Sequence, residues 1–196
     1  ACAGAAKRVF RRPVLYNNNL KYKSNLTLKE ALAYTENIIS LQAAMLPAST
    51  RRKENNMKAM VYHAANDIRL EEKPKPQIID PTDAVVRIVK TTICGTDLGI
   101  WKGKNPEVAD GRILGHEGVG IVEEVGDAVK NIKKGDKVII SCVSKCCSCD
   151  NCKKQLYSHC RNGGWILGYM IDGTQAEYVR TPFADNSLIP LPESVD

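Results

Sequence analysis

The chain has 196 residues, 43% hydrophobic and 26% charged, with a formal net charge of +6. That balance is that of an ordinary folded protein and excludes a fibrous or wholly disordered chain. No apolar run approaches the roughly 18 residues of a membrane-spanning helix, and no secretory leader pattern opens the sequence.

The charge is unevenly placed. Residues 1–56 hold ten Lys and Arg against three Glu, whereas residues 57–196 hold eighteen basic and nineteen acidic side chains. The basic excess therefore belongs to the first segment, which divides the chain into a basic extension, 1–56, and a main domain, 57–196. Within the extension, Thr27 and Glu30 have capping-box spacing, and apolar residues recur at helical spacing from Leu28 to Leu46 before Pro47. One separate amphipathic helix over 28–46 is expected, its stripe buried on the main domain or an assembly partner. Lys7, Arg8, Arg11, Arg12, Lys21 and Lys23 precede it with no acid among them. Three readings fit that tail: an organelle-targeting remnant, an arm for RNA or anionic lipid, and a solvated tail.

From Met57 onward the pattern is of short strands. Ala59–Tyr62, Ile68–Leu70, Ala84–Val89, Gly118–Val125, Lys137–Ser141 and Ala176–Arg180 are apolar or alternating, with Pro74, Pro76, Pro81, Gly126-Asp127, Gly135-Asp136 and Asp172-Gly173 between them. Many short strands with turn residues between them predict a mainly β barrel or sandwich rather than repeated βαβ units.

Two clusters carry chemistry. Five of the eight cysteines fall between Cys146 and Cys160, a density that suits a metal and a reducing compartment better than a disulfide framework. Cys146, Cys149, Cys152 and Cys160 can supply four thiolates to one zinc, leaving no open position, so the site is structural. Lys145, Lys153 and Lys154 offset part of the thiolate charge. Cys147 is an alternative to Cys146, and His159 a weaker substitute for Cys160. The second cluster is Cys94-Gly95-Thr96-Asp97 with Gly115-His116-Glu117, a mixture of thiolate, imidazole, hydroxyl and carboxylates that suits a catalytic zinc.

Residues 57–196 resemble the N-terminal catalytic domain of the zinc-dependent alcohol dehydrogenases of the medium-chain dehydrogenase/reductase superfamily. Cys94-Gly95-Thr96-Asp97, the series Gly115-His116-Glu117, Gly120, Gly126 and Val129, the four-cysteine lobe, and Gly135-Asp136-Lys137-Val138 carry that resemblance. It implies a GroES-like barrel with short helices, and hydride transfer between a small alcohol and its aldehyde or ketone with NAD or NADP. It makes Cys94 and His116 ligands of a catalytic zinc and Glu117 an exchanging ligand or outer group. Asp97 then orients His116, Thr96 passes the alcohol proton toward solvent, and Trp165 lines the substrate pocket or packs in the core.

The sequence departs from that pattern in three places. Gly99 stands where many relatives place the His that ends the proton relay. A third protein ligand of the catalytic zinc is expected beyond residue 196. Gly118-Val119-Gly120 lacks the third glycine of a dinucleotide fingerprint and enters a strand, so no nucleotide-binding lobe is expected within the chain. NAD or NADP then belongs to the complete enzyme, a homo-oligomer by resemblance, and the isolated chain is expected to be inactive. The alternative is a dehydrogenase-derived zinc barrel acting as a structural or binding subunit through residues 1–56. A cytoplasmic location is expected, with a mitochondrial one as the alternative.

Overall fold

The computed structural model describes residues 56–192 and 194–195. The expected helix over 28–46 and the basic tail lie outside the described residues. Among the described residues, eight strands and three short α-helices, with a 3-10 turn at Tyr157–His159 after α2, run in the order β1 (Asn56–Ala64), β2 (Asp67–Pro74), β3 (Ala84–Thr91), α1 (Gly95–Trp101), β4 (Arg112–Ile113), β5 (Gly118–Val125), β6 (Lys137–Ile140), α2 (Asp150–Lys153), β7 (Tyr178–Thr181), α3 (Ala184–Ser187) and β8 (Leu188–Pro190). They form a three-stranded sheet in the order β2-β1-β4 and a five-stranded sheet in the order β7-β3-β5-β6-β8. Every strand pairing is antiparallel. The expected mainly β architecture is present, with short helices beside it.

The sheets are joined by the segment 174–177. Met60 donates its amide to the Gln175 carbonyl, Glu177 to Lys58, and Ile88 to Glu177, at 2.8, 3.1 and 2.9 Å. One stretch of backbone thus bonds to β1 on one side and β3 on the other. This is why β7 begins at Tyr178, two residues later than the alternating pattern suggests: Ala176 is engaged in an isolated bridge to Ala59.

The larger core lies on the five-stranded sheet. Val86, Ile88, Val122, Val138, Ile140, Leu167, Val179 and Leu188 are all buried there. Along β5 the inward positions are Gly118, Gly120 and Val122, a two-residue period that breaks where the pairing with β3 shifts between Val122 and Glu124, leaving Glu124 exposed. Gly120 is needed because β3 crosses it closely: a Cβ there would sit 2.4 Å from the Arg87 carbonyl oxygen. The pair Gly118 and Gly120 therefore serves strand packing and opens no helix. A second core, Met57, Ala59, Val61, Ile113 and Ala176, fills the space behind the three-stranded sheet. Tyr62, Ile100, Val108 and Leu114 form a third, with Ile68, Trp165 and Tyr169 packed against it.

Candidate metal centres

The four-cysteine lobe is a loop wound on itself. Cys146, Cys149, Cys152 and Cys160 bring four sulfurs within 4.8 Å of one another. Four sulfurs at about 2.3 Å around a tetrahedral zinc stand about 3.8 Å apart. The Cys146 sulfur lies 3.5 Å from that of Cys160 and 4.0 Å from that of Cys152, so the cage has the size zinc requires. The group that could hold the metal includes Cys146 and not Cys147. Cys147 takes a left-handed backbone, φ 56°, and falls outside the cluster, as does the exposed His159.

The backbone prepares the lobe for anionic sulfur. The amides of Cys146 and Cys149 donate to the sulfurs of Cys160 and Cys146, both at 3.4 Å. Burial opposes ionisation of Cys146, but hydrogen bonds from Ser148 and the Cys149 amide overcome it and lower the thiol to about 5. Cys152 goes the other way: burial, reinforced by hydrogen bonds within the thiol cluster, pushes it up to about 12. Among the described residues no cysteine is in a disulfide. Metal-free, the lobe thus holds at least one thiolate beside at least one thiol whose proton a metal must displace.

The second cluster gathers residues from separate elements. Cys94 caps the N-terminus of α1 in extended backbone, and its amide donates to the Asp97 carboxylate at 2.9 Å, closing a capping box. His116 stands just before β5, and its Nε2 lies 3.8 Å from the Cys94 sulfur. Bond lengths of about 2.3 Å to sulfur and 2.05 Å to nitrogen at a tetrahedral angle put the two donors about 3.6 Å apart. Asp97 completes a group whose ligand atoms all lie within 4.8 Å. Its second oxygen, Oδ1, is buried with no hydrogen-bond partner among the described residues, and a buried orphaned carboxylate oxygen calls for a cation or donor. The residues present therefore fit a zinc ion.

Electrostatics agree with that reading. Burial pushes the Cys94 thiol up and the adjacent Asp97 carboxylate pushes it further, while hydrogen bonds from Asp97 and Thr96 pull it back. Burial likewise raises Asp97, against the Cys94 amide and the His116 imidazole. Both groups await a positive charge.

Glu117 has an exposed side chain and contributes no atom to the cluster, but its carbonyl accepts hydrogen bonds from the hydroxyls of Thr91 and Thr174 at 2.9 and 3.2 Å. Those threonines fix the strand entrance that carries His116. Thr96 is half-buried, the second residue of α1, and bonds toward the Cys94 sulfur.

Trp165 was expected to line the substrate pocket or to pack in the core. It packs against the third core, and its ring meets His116 edge-on, with centroids 6.0 Å apart and planes at 70°. Tyr169, a residue with no distinguishing sequence signal, stacks on Trp165 at 4.6 Å and 13°. The turn carrying it is pinned by Gly168, φ 69°, where a Cβ would lie 2.7 Å from the Gly115 amide nitrogen. Only a glycine fits so close to the backbone of the residue preceding His116. Tyr169 was missed because its signal, a Gly-Tyr pair in a turn, is common in loops of no special role.

Two antiparallel sheets carry a four-sulfur cluster and a separate cysteine–histidine–carboxylate cluster, a combination that fits the catalytic domain of a zinc oxidoreductase. Residues 80–193 match the family model described as the alcohol dehydrogenase GroES-like domain, and the chain belongs to that family, within the zinc-dependent medium-chain dehydrogenases/reductases. It is 41% identical over 143 residues to zinc-type alcohol dehydrogenase B of Aspergillus flavus, covering 73% of this chain and 33% of that protein. It is 41% identical over 162 residues to an alcohol dehydrogenase of Cupriavidus necator, covering 71% of this chain and 42% of that one. Among solved structures it superposes on a zinc-dependent alcohol dehydrogenase from Streptococcus pneumonia with TM-score 0.68 and 57% identity, over 71% of this chain and 40% of the other. The chain thus spans well under half the length of these relatives.

Proposed function

We propose that residues 57–196 are the catalytic-domain portion of a zinc-dependent alcohol dehydrogenase, and residues 1–56 an extension to it. The full-length protein interconverts a small alcohol with its aldehyde or ketone, using NAD or NADP. The observation that carries this reading is the cluster of Cys94, Asp97 and His116, drawn from two elements into ligand distance of one another. The NADP- and NADH-bound dehydrogenases among the structural neighbours, 31% and 27% identical, support the choice of cofactor class.

Bound there, zinc would supply acidification of the alcohol and polarisation of the carbonyl, and a nicotinamide cofactor would supply the hydride chemistry. The chain's own residues do the rest. Cys94 and His116 hold the metal, and Asp97 sets the N-terminus of α1 through the Cys94 amide while its free oxygen faces the same small volume. Thr96, beside Cys94, takes the alcohol proton through its hydroxyl and passes it toward solvent; with glycine at 99, water continues the path. Glu117, exposed at the entrance to β5, serves as an outer carboxylate that exchanges with the ligand set. Trp165 offers an aromatic wall next to His116. The four-cysteine lobe stays structural, since four sulfurs leave no open position. Retention of Cys94, Thr96, Asp97 and His116 together argues against a barrel retired to a purely structural role. No described helix is long and apolar enough to cross a membrane. A homo-oligomer in the cytoplasm is the proposed state.

The test is alcohol-dependent reduction of NAD or NADP by the full-length protein. Cys94→Ser should abolish it, and Thr96→Ala should lower kcat by about 10²–10⁴-fold, the range of a lost proton-transfer group. Full activity in Cys94→Ser would refute the proposal.

A further inference from the structure

His63 lies on β1, away from both metal clusters, and is clamped from two sides. Its Nδ1 is 2.6 Å from an Asp110 carboxylate oxygen and its Nε2 is 2.8 Å from a Glu71 carboxylate oxygen. A carboxylate only accepts, and a neutral imidazole has one N–H. Both contacts are satisfied together only when the ring carries both protons. The backbone creates this position: the pairing of β1 with β2 slips between Tyr62 and Ala64, making His63 the extra residue of a bulge, and bulges re-aim side chains.

The two carboxylates belong to different parts of the fold. Glu71 is on β2, while Asp110 is in the connection 102–111 between α1 and β4. The other charges around the ring are Asp67 and Arg69, which bond to each other through two contacts at 2.8 and 2.6 Å. Lys73, on the same strand, is committed to the Gly111 carbonyl at 3.2 Å. At its far end the connection is held to β1 by the Gly111 amide donating to the Tyr62 carbonyl at 2.9 Å. The same connection carries Val108, packed with Tyr62, Ile100 and Leu114 in the core that also takes up Trp165 and Tyr169.

We propose that His63 is a pH-operated clasp: as imidazolium it ties the connection 102–111 to the β1–β2 hairpin, and on losing one proton it releases one of its two carboxylates. Because Val108 belongs to the core on which the aromatic pair beside His116 packs, the clasp links solution pH to the looseness of that core. The two carboxylates raise the histidine above its ordinary value of 6.5, the hydrogen bond it donates to Glu71 foremost and the one it donates to Asp110 next. A raised histidine stabilises the closed form fully below its unperturbed value and loses that contribution as pH rises through the raised one.

Amide hydrogen exchange of the 196-residue chain between pH 6 and pH 9, corrected for intrinsic rates, tests the clasp. Protection of Gly111 and Val108 should fall about two- to fivefold toward pH 9, the range an exposed ion pair supports. Val122, bonded to the Asp136 carbonyl within the main sheet, should not change. Asp110 is 76% exposed, so Asp110→Asn leaves folding intact. An asparagine amide can pair with either protonation state of the ring, so this variant should lose the pH dependence. Flat protection at Gly111 in the unaltered chain, or a pH dependence that persists in Asp110→Asn, would overturn the clasp.

Discussion

The two metal clusters use the same ligand chemistry and are built in opposite ways. The four-cysteine lobe takes all its donors from fifteen consecutive residues, with backbone amides already aimed at the sulfurs. The Cys94–His116 cluster takes its donors from a helix N-terminus and a strand entrance twenty-two residues apart, which only the tertiary fold brings together. A local site can be made by its metal. A dispersed one is made by the fold and only then offered to a metal. The first should therefore fail when a ligand is lost, and the second when its supports are lost.

The largest expected effect is in the lobe. Cys152→Ser or Cys160→Ser should remove one zinc equivalent per chain and unfold the loop around residues 146–160. Such sites contribute on the order of 10 kcal/mol of apparent binding energy to local folding. Metal analysis with hydrogen exchange over the lobe reads it. Retained zinc in Cys152→Ser would show that Cys147 or His159 takes over.

A tenfold to hundredfold effect is expected at the dispersed site from a residue that supports it. Asp97→Asn should weaken metal binding at Cys94 and His116 by that factor, as loss of an orienting carboxylate does elsewhere, and leave lobe occupancy unchanged. Zinc titration against a chelator separates the two. Equal loss at both sites would mean that they are not independent.

The lobe should also bind zinc more tightly as pH rises. Cys152 is protonated until about 12 in the metal-free lobe, so loading a metal expels at least one proton. Affinity should rise about tenfold per pH unit for each proton displaced between pH 6 and 8. A pH-independent constant would mean that the lobe binds with its thiols already ionised.

The smallest effect concerns the aromatic pair. Tyr169→Leu removes the ring that stacks on Trp165, a contact worth about 0.5–1.5 kcal/mol beyond burial. A Tm drop of a few degrees is expected, with lobe zinc unaltered. Tyr169→Phe should behave as the unaltered protein, because the contact needs the ring and not the hydroxyl.

How much of this was legible in the sequence follows from the same contrast. Strand β5 and the four lobe cysteines could be read from residues alone, because a two-residue alternation and a short ligand spacing are local signals. Helix α1 was not foreseen. Gly95, Thr96 and Gly99 are poor helix formers, and what sustains the helix is burial of Ile100 and Asp97 with the Cys94 capping box. Cys94 and His116 drew notice only through the residues flanking them and gained roles from a family resemblance, since their proximity is a product of tertiary packing. Tyr169 and His63 carried no sequence signal: one depends on Gly168 pressing against Gly115, the other on a bulge.

The central claim is that the chain carries a sulfur-only structural zinc and a distinct cysteine–histidine zinc. Zinc K-edge absorption of the full-length protein at saturating zinc tests it most directly. The account predicts a sulfur shell at about 2.3 Å together with a nitrogen and oxygen shell at about 2.0–2.1 Å. In Cys94→Ser the sulfur shell should persist and the nitrogen and oxygen shell should shrink sharply as the weakened site empties. A single sulfur shell in the unaltered protein, or a nitrogen and oxygen shell untouched by Cys94→Ser, would contradict it.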